Sequence, residues 1–164
     1  MVFRVWPLFL IVLSALNCVQ ALEPGDSVPD FVMLSENGAP QRLSEQAGKP
    51  VMLIWLDDCD ACAERLIDWQ YLAESMAVDD LVTWFIWQPK ESYKAPWARL
   101  PVLRYETENK KSWLFSPTPA VMLISPNGVL DHLFLYELDE RKADVEIVLK
   151  KWLKNKQWLL EGTE

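Results

Sequence analysis

Apolar positions along the chain fall into two periods. Pro50–Leu56, Leu81–Trp87 and Ala120–Ile124 are nearly continuous apolar runs of strand length, the pattern of strands covered on both faces. After the first run, Cys62, Leu66, Trp69, Leu72, Ala73 and Met76 recur at three- and four-residue steps. That spacing predicts an amphipathic helix, with Asp57 or Asp58 as its N-cap. Val145, Val148, Leu149, Trp152 and Leu153 describe a second helix, running from Asp139. Pro126-Asn127-Gly128 is a turn signal, so Val129–Tyr136 is expected to pair back as a hairpin. Residues 22–43 are punctuated by Pro24-Gly25, Pro29, Asn37-Gly38 and Pro40. They predict extended segments and turns, followed by a helical turn at Ser44–Gly48. Residues 88–117 are broken by Pro96, Pro101 and Pro117, with room for a short helix at Glu106–Phe115. The order of elements predicts an α/β domain with a mixed central sheet and helices on both faces.

Residues 1–21 stand outside this pattern. Arg4 is their only charge, an apolar run covers Leu8–Leu16, and Val19-Gln20-Ala21 offers a small-residue cleavage site. The expectation is a secretory signal peptide cut after Ala21, or an N-terminal anchor if retained, ahead of one domain at 22–164. A lipid on Cys18 fits poorly, because Asn17 takes the place of the small residue expected before it.

Composition narrows the reading further. The 164 residues are 51% hydrophobic, enough for a real core and too many for wholesale disorder. The chain has 16 Lys and Arg against 24 Asp and Glu, net −8, and loss of Arg4 with the leader makes it −9. An acidic balance excludes broad nucleic-acid binding, which needs clustered cations. Three cysteines are too few for a disulfide scaffold, and without Cys18 the remaining two are Cys59 and Cys62.

Cys59-Asp60-Ala61-Cys62 carries the candidate chemistry. Two thiols three positions apart at a helix start can close into a disulfide with little backbone movement. Unpaired backbone N–H groups there stabilise the thiolate of Cys59. Cys62, one turn further in, is available to attack a mixed disulfide formed by Cys59. Asp57, Asp58 and Asp60 work against that thiolate. Each carboxylate at about 6 Å opposes it by ~0.7 kcal/mol in water and ~3 kcal/mol at an effective dielectric of 20. That is roughly half a pK unit to two units upward apiece, against ~1 kcal/mol from the helix terminus. The expected outcome is a pair that donates electrons better than it accepts them.

Thr118-Pro119 is the second element, with the proline opening a buried strand where its missing N–H is tolerated. With it, the chain resembles exported thioredoxin-like proteins of the TlpA/ResA type over essentially all of 22–164. Pro29-Asp30-Phe31, Asn37-Gly38, Leu43-Ser44, Gly48–Trp55, Cys59–Cys62 and Thr118–Gly128 follow that family's order. The resemblance implies a thioredoxin fold, a redox disulfide Cys59–Cys62, attack by Cys59 and resolution by Cys62. It implies a cis Pro119 that, with Thr118, shapes a groove for substrate backbone, and a supporting Trp55. No cofactor or metal is implied. The implied partners are a protein disulfide or dithiol client and a membrane electron donor.

Four departures stand against the resemblance. Asp58 replaces the usual Trp before the first cysteine, and Ala61 the usual Pro between the cysteines. Leu53 stands where many members bury an acid, and Arg65 where relatives place Glu after the second cysteine. Proton handling would fall to Asp57, Asp58, Asp60 or Glu64.

The function expected is a periplasmic thiol–disulfide oxidoreductase that reduces protein disulfides. The alternative is a thioredoxin-like binding module without turnover, either a Cu(I) carrier or a protein adaptor. A structural zinc site lacks ligands, with two Cys and one His at hand. That histidine, His132, reads as an ordinary strand residue. Trp69, Trp152 and Trp158 read as helix packing, and Trp84, Trp87, Trp97 and Trp113 as core or edge packing, with lining of a substrate groove near Pro119 as the alternative.

Overall fold

The computed structural model describes residues 22–57, 62–76, 80–87, 98–104 and 119–156. Seven strands and two α-helices are defined among them: β1 (Val32–Ser35), β2 (Pro40–Arg42), β3 (Val51–Asp57), α1 (Cys62–Ser75), β4 (Val82–Trp87), β5 (Val102–Arg104), β6 (Ala120–Ile124), β7 (Leu130–Leu135) and α2 (Leu138–Asn155). A 3₁₀ turn at Leu43–Gln46 supplies the expected helical turn.

The strands form one mixed sheet in the order β2-β1-β5-β4-β3-β6-β7. β3, β4 and β5 run parallel, while β6 and β7 add antiparallel on one side and β1 and β2 on the other. β3 lies between β4 and β6, which explains its unbroken apolar run: Met52, Leu53 and Ile54 have no exposed surface. β5 is a difference from the sequence reading, which left 88–117 without a strand. Three residues after a proline carry no periodicity of their own. The pairing of β5 with both β4 and β1 makes it a strand.

Alternate residues of β3 enter two separate cores. Met52, Ile54 and Leu56 join Leu66, Trp69 and Leu72 of α1 and Val145, Leu149 and Trp152 of α2. Leu53 and Trp55 face the other way, among Trp84, Ile86, Met122 and the N-terminal residues Leu22, Val28, Met33 and Leu43. Both described helices therefore cover one face, and the extended N-terminal segment covers the other. The short helix expected at Glu106–Phe115 lies outside the described residues.

The N-terminal segment is held by specific bonds. Gly25 N–H donates to Leu130 O at 2.7 Å, Leu130 N–H to Asp26 O at 2.9 Å, and Val28 N–H to Gly128 O at 2.8 Å. The Asp30 carboxylate accepts from Ser44 N–H at 2.9 Å and from Arg42 at 3.1 Å. Slight burial pushes that carboxyl upward, but the Ser44 and Arg42 bonds outweigh it and hold it below its ordinary value.

Candidate functional site

The site is built at the end of the sheet where β3 gives way to α1. Trp55 pairs with Ile86 of β4 on one side and with Ala120 of β6 on the other. The β3–β4 register then slips, so that Asp57 and not Leu56 stands opposite Trp87. A bulge of this kind re-aims the chain at a strand end. Four residues separate Asp57, the last of β3, from Cys62, the first of α1. That connection carries Asp58, Cys59 and Asp60, which lie outside the described residues. For Asp57, Cys62 and Glu64 the backbone position alone is described. Pro119 immediately precedes β6 and is partly buried. Since Ala120 is opposite Trp55, Pro119 sits at the same end of the sheet as the β3–α1 connection. Thr118 also lies outside the described residues. Trp55 is only 3% exposed, with its ring in the layer away from the helices.

The strand topology decides the fold: a parallel βαβ unit, an antiparallel hairpin added beside its first strand, and a closing helix packed next to α1. The chain has a thioredoxin fold. No protein-family model matches the sequence, and no curated protein matches it by sequence. Solved structures do match. The thioredoxin domain of a thiol-disulfide oxidoreductase from Bacteroides vulgatus superposes with a TM-score of 0.67 at 14% identity, over 80% of this chain and 99% of that one. The pneumococcal exposed lipoprotein thioredoxin from Streptococcus pneumoniae gives 0.57 at 23% identity, over 75% and 99%. StoA from Bacillus subtilis gives 0.53 at 16% identity, over 67% and 90%.

Within this thioredoxin fold, two residues near the site carry roles that sequence reasoning did not assign. Arg65, where relatives were expected to carry Glu, makes an ion pair with Asp139 at 2.8 Å and so joins the first turn of α1 to the start of α2. Tyr136 N–H donates to Pro119 O at 3.0 Å. Tyr136 and Glu137 both have positive φ, 55° and 45°, at the junction between β7 and α2. The sequence reading ran the hairpin strand through Tyr136; β7 ends one residue earlier, because a left-handed residue cannot continue the pleat.

The remaining features of the thioredoxin fold lie away from this end. A cleft of about 310 Å³ involves Leu43, Ser44, Lys49, Val51, Ile124 and Ser125. It sits where β3 begins and β6 ends, at the far pole from Pro119, and plays no part in the site. His132 is half-buried on β7, and burial lowers its pKa below the ordinary 6.5, Lys151 adding to the effect and Asp131 opposing it. Among the described residues no group of three or more His, Cys, Asp or Glu side chains is placed to hold a metal ion. No described helix is long and apolar enough to cross a membrane.

Proposed function

We propose that the chain is an exported thiol–disulfide oxidoreductase that reduces protein disulfides with Cys59 and Cys62. The observation that carries this reading is that Asp57, where β3 hands over to the connection, and Pro119 lie at the same end of the sheet. Its support comes from three directions: the Cys-Asp-Ala-Cys sequence that spans the connection and the first residue of α1, the thioredoxin fold, and a neighbour named as a thiol-disulfide oxidoreductase.

The reaction needs no cofactor. The Cys59 thiolate attacks one sulfur of a client disulfide, forms a mixed disulfide and releases the other client sulfur as a thiolate. Cys62, once deprotonated, attacks Cys59 Sγ, closes the Cys59–Cys62 disulfide and releases the second client thiolate. Two electrons pass to the client, and the protons lost by the two cysteines balance those taken up by the client. A dithiol donor then reopens the pair, and a membrane electron donor would serve. The α1 N-terminus favours the attacking thiolate, and Asp57, Asp58 and Asp60 oppose it, which sets the pair toward donation. Thr118 and Pro119 would present the client backbone, and Trp55 would brace the strand beneath them. Periplasmic export rests on residues 1–21, with an anchored form if they are retained. It agrees with the surface exposure named for the pneumococcal neighbour.

An insulin-reduction assay tests the reading. The wild-type protein with a dithiol donor should precipitate insulin, Cys59→Ser should not, and Cys62→Ser should accumulate mixed disulfides. Equal activity in wild type and Cys59→Ser would overturn the reading. A reduction potential close to that of a strong periplasmic oxidant would overturn its direction.

A further inference from the structure

The two edges of the sheet are built differently. β2, at one edge, is three residues long and holds Pro40 and Arg42, residues that blunt an open strand. β7, at the other, presents Leu133, Phe134 and Leu135 in a row, with no charge or proline. Its one protective device, the bulge at Asp131, ends before them. All three side chains are only partly buried. The bond from Tyr136 N–H to Pro119 O sets the phase of pairing with β6. Hydrogen-bonded pairs recur at every second residue of an antiparallel ladder, so Phe134 bonds to Val121 next. The N–H and C=O groups of Leu133 and Leu135 therefore point away from β6, and among the described residues no strand pairs with them.

The charges of α2 identify the partner. α2 packs on β6 and β7 alike. Its ion pairs Arg65–Asp139 and Lys142–Asp68 mark the side turned to α1. Asp144, Val148 and Lys151, at helical spacing, share the opposite side, toward the open edge. Residues 137–146 hold five acids against two bases, while residues 147–156 hold four lysines and no acid. The helix dipole accounts for charges in the first and last turns only. Asp144 and Lys151 lie inside those turns and form no ion pair among the described residues. Only an α2 turned end for end, acidic half to basic half, would match this pattern, and antiparallel pairing of β7 with itself produces that arrangement.

We infer that β7 pairs with β7 of a second copy of this chain, about a two-fold axis at Phe134. In that register Leu133 and Leu135 exchange four backbone hydrogen bonds with their counterparts, clear of the bulge, and the two Phe134 side chains stand side by side. The two α2 helices, each over the midline of β6 and β7, lie two strand spacings apart. That is about 10 Å, the usual distance between packed helices. The Pro119 ends of the two copies point in opposite directions and stay open, so association and disulfide exchange are independent.

Sedimentation of the purified protein over a micromolar concentration series tests this, with excess dithiol present to exclude intermolecular disulfides. Wild type should sediment as a dimer that dissociates on dilution. Leu133→Pro removes an outward N–H, spares the bonds to β6 and deletes two bonds across the axis, so it should weaken association about a hundredfold. Lys151→Glu, at an exposed position that leaves the fold intact, sets like charges together on both sides of the axis and should weaken it about tenfold. Ile147→Ser, 65% exposed on the face of α2 turned away from the sheet, should change nothing. A monomer at every concentration, or a dimer that Lys151→Glu and a folded Leu133→Pro both leave unweakened, would overturn the inference. Should circular dichroism show Leu133→Pro unfolded, Lys151→Glu alone decides.

Discussion

The indole N–H of Trp152 donates to the Asp131 carboxylate at 2.7 Å and ties the last turns of α2 to β7. A register shift makes the bond. Leu123 pairs with His132 and Ile124 with Leu130, leaving Asp131 as the extra residue of a bulge. Trp152 has no exposed surface, so its polar atom is matched by the β7 residue freed from regular pairing. Asp131→Ala should cost about 1–3 kcal/mol in urea unfolding, the usual penalty for leaving a buried donor unsatisfied, here the Trp152 N–H. The double variant with Trp152→Phe should cost less than the sum of the singles, since the two residues act as a unit.

His132 should give stability a pH slope. Burial favours its neutral form in the folded state, so the unfolded chain takes up a proton first as pH falls. Its contribution is complete above the unfolded pKa of 6.5 and is lost as pH drops through the lower folded value. His132→Gln should flatten the unfolding free energy just below pH 6.5. Asp30 acts at lower pH: its stabilisation is present above 3.8 and fades as pH falls through its depressed folded pKa. Asp30→Asn should remove that second slope, which acid titration of the unfolding midpoint would detect.

Gln70 anchors the approach to β5. Its side chain is 4% exposed, and its Oε1 accepts the backbone N–H of Arg99 at 2.8 Å. Gln70→Ala should cost about 1–2 kcal/mol and speed trypsin cleavage after Arg99. Glu74 pairs with the exposed Arg99 guanidinium at 2.6 Å. Glu74→Ala should cost under about 1 kcal/mol, as solvent screens the pair. The contrast between the two variants separates buried anchoring from surface charge.

The acids next to Cys59 should set its acidity. Asp58→Asn and Asp60→Asn should each lower the Cys59 pKa by roughly half a unit to two units, followed by thiolate ultraviolet absorbance against pH. The same variants should make the pair more oxidising. No change in either quantity would remove the electrostatic account of its direction.

The elements legible in the sequence were those whose buried positions repeat at a regular period or run unbroken. β3 and β6 read as strands because every residue from Val51 to Leu56 and from Ala120 to Ile124 is buried. The three- and four-residue stripes of α1 and α2 survive as Leu66, Trp69, Leu72 and Val145, Leu149, Trp152 in one core. β5 was not legible, since long-range pairing alone makes Val102–Arg104 a strand. Within the site, Pro119 stood out through its neighbours in sequence and its place at a strand head. Tyr136 did not, because left-handed backbone is normally announced by Gly or Asn, and a tyrosine in a hairpin reads as strand.

Leu22, the first described residue, already belongs to the core at 6% exposure, and Gly25 three residues later is bonded to β7. The segment that covers the non-helical face is therefore in the core from its first described residue. A leader cut after Ala21 would put the new α-amino group on Leu22 itself, so the charged end of the mature chain would sit at the edge of the core. A leader retained in a membrane would instead hold the domain directly against the bilayer.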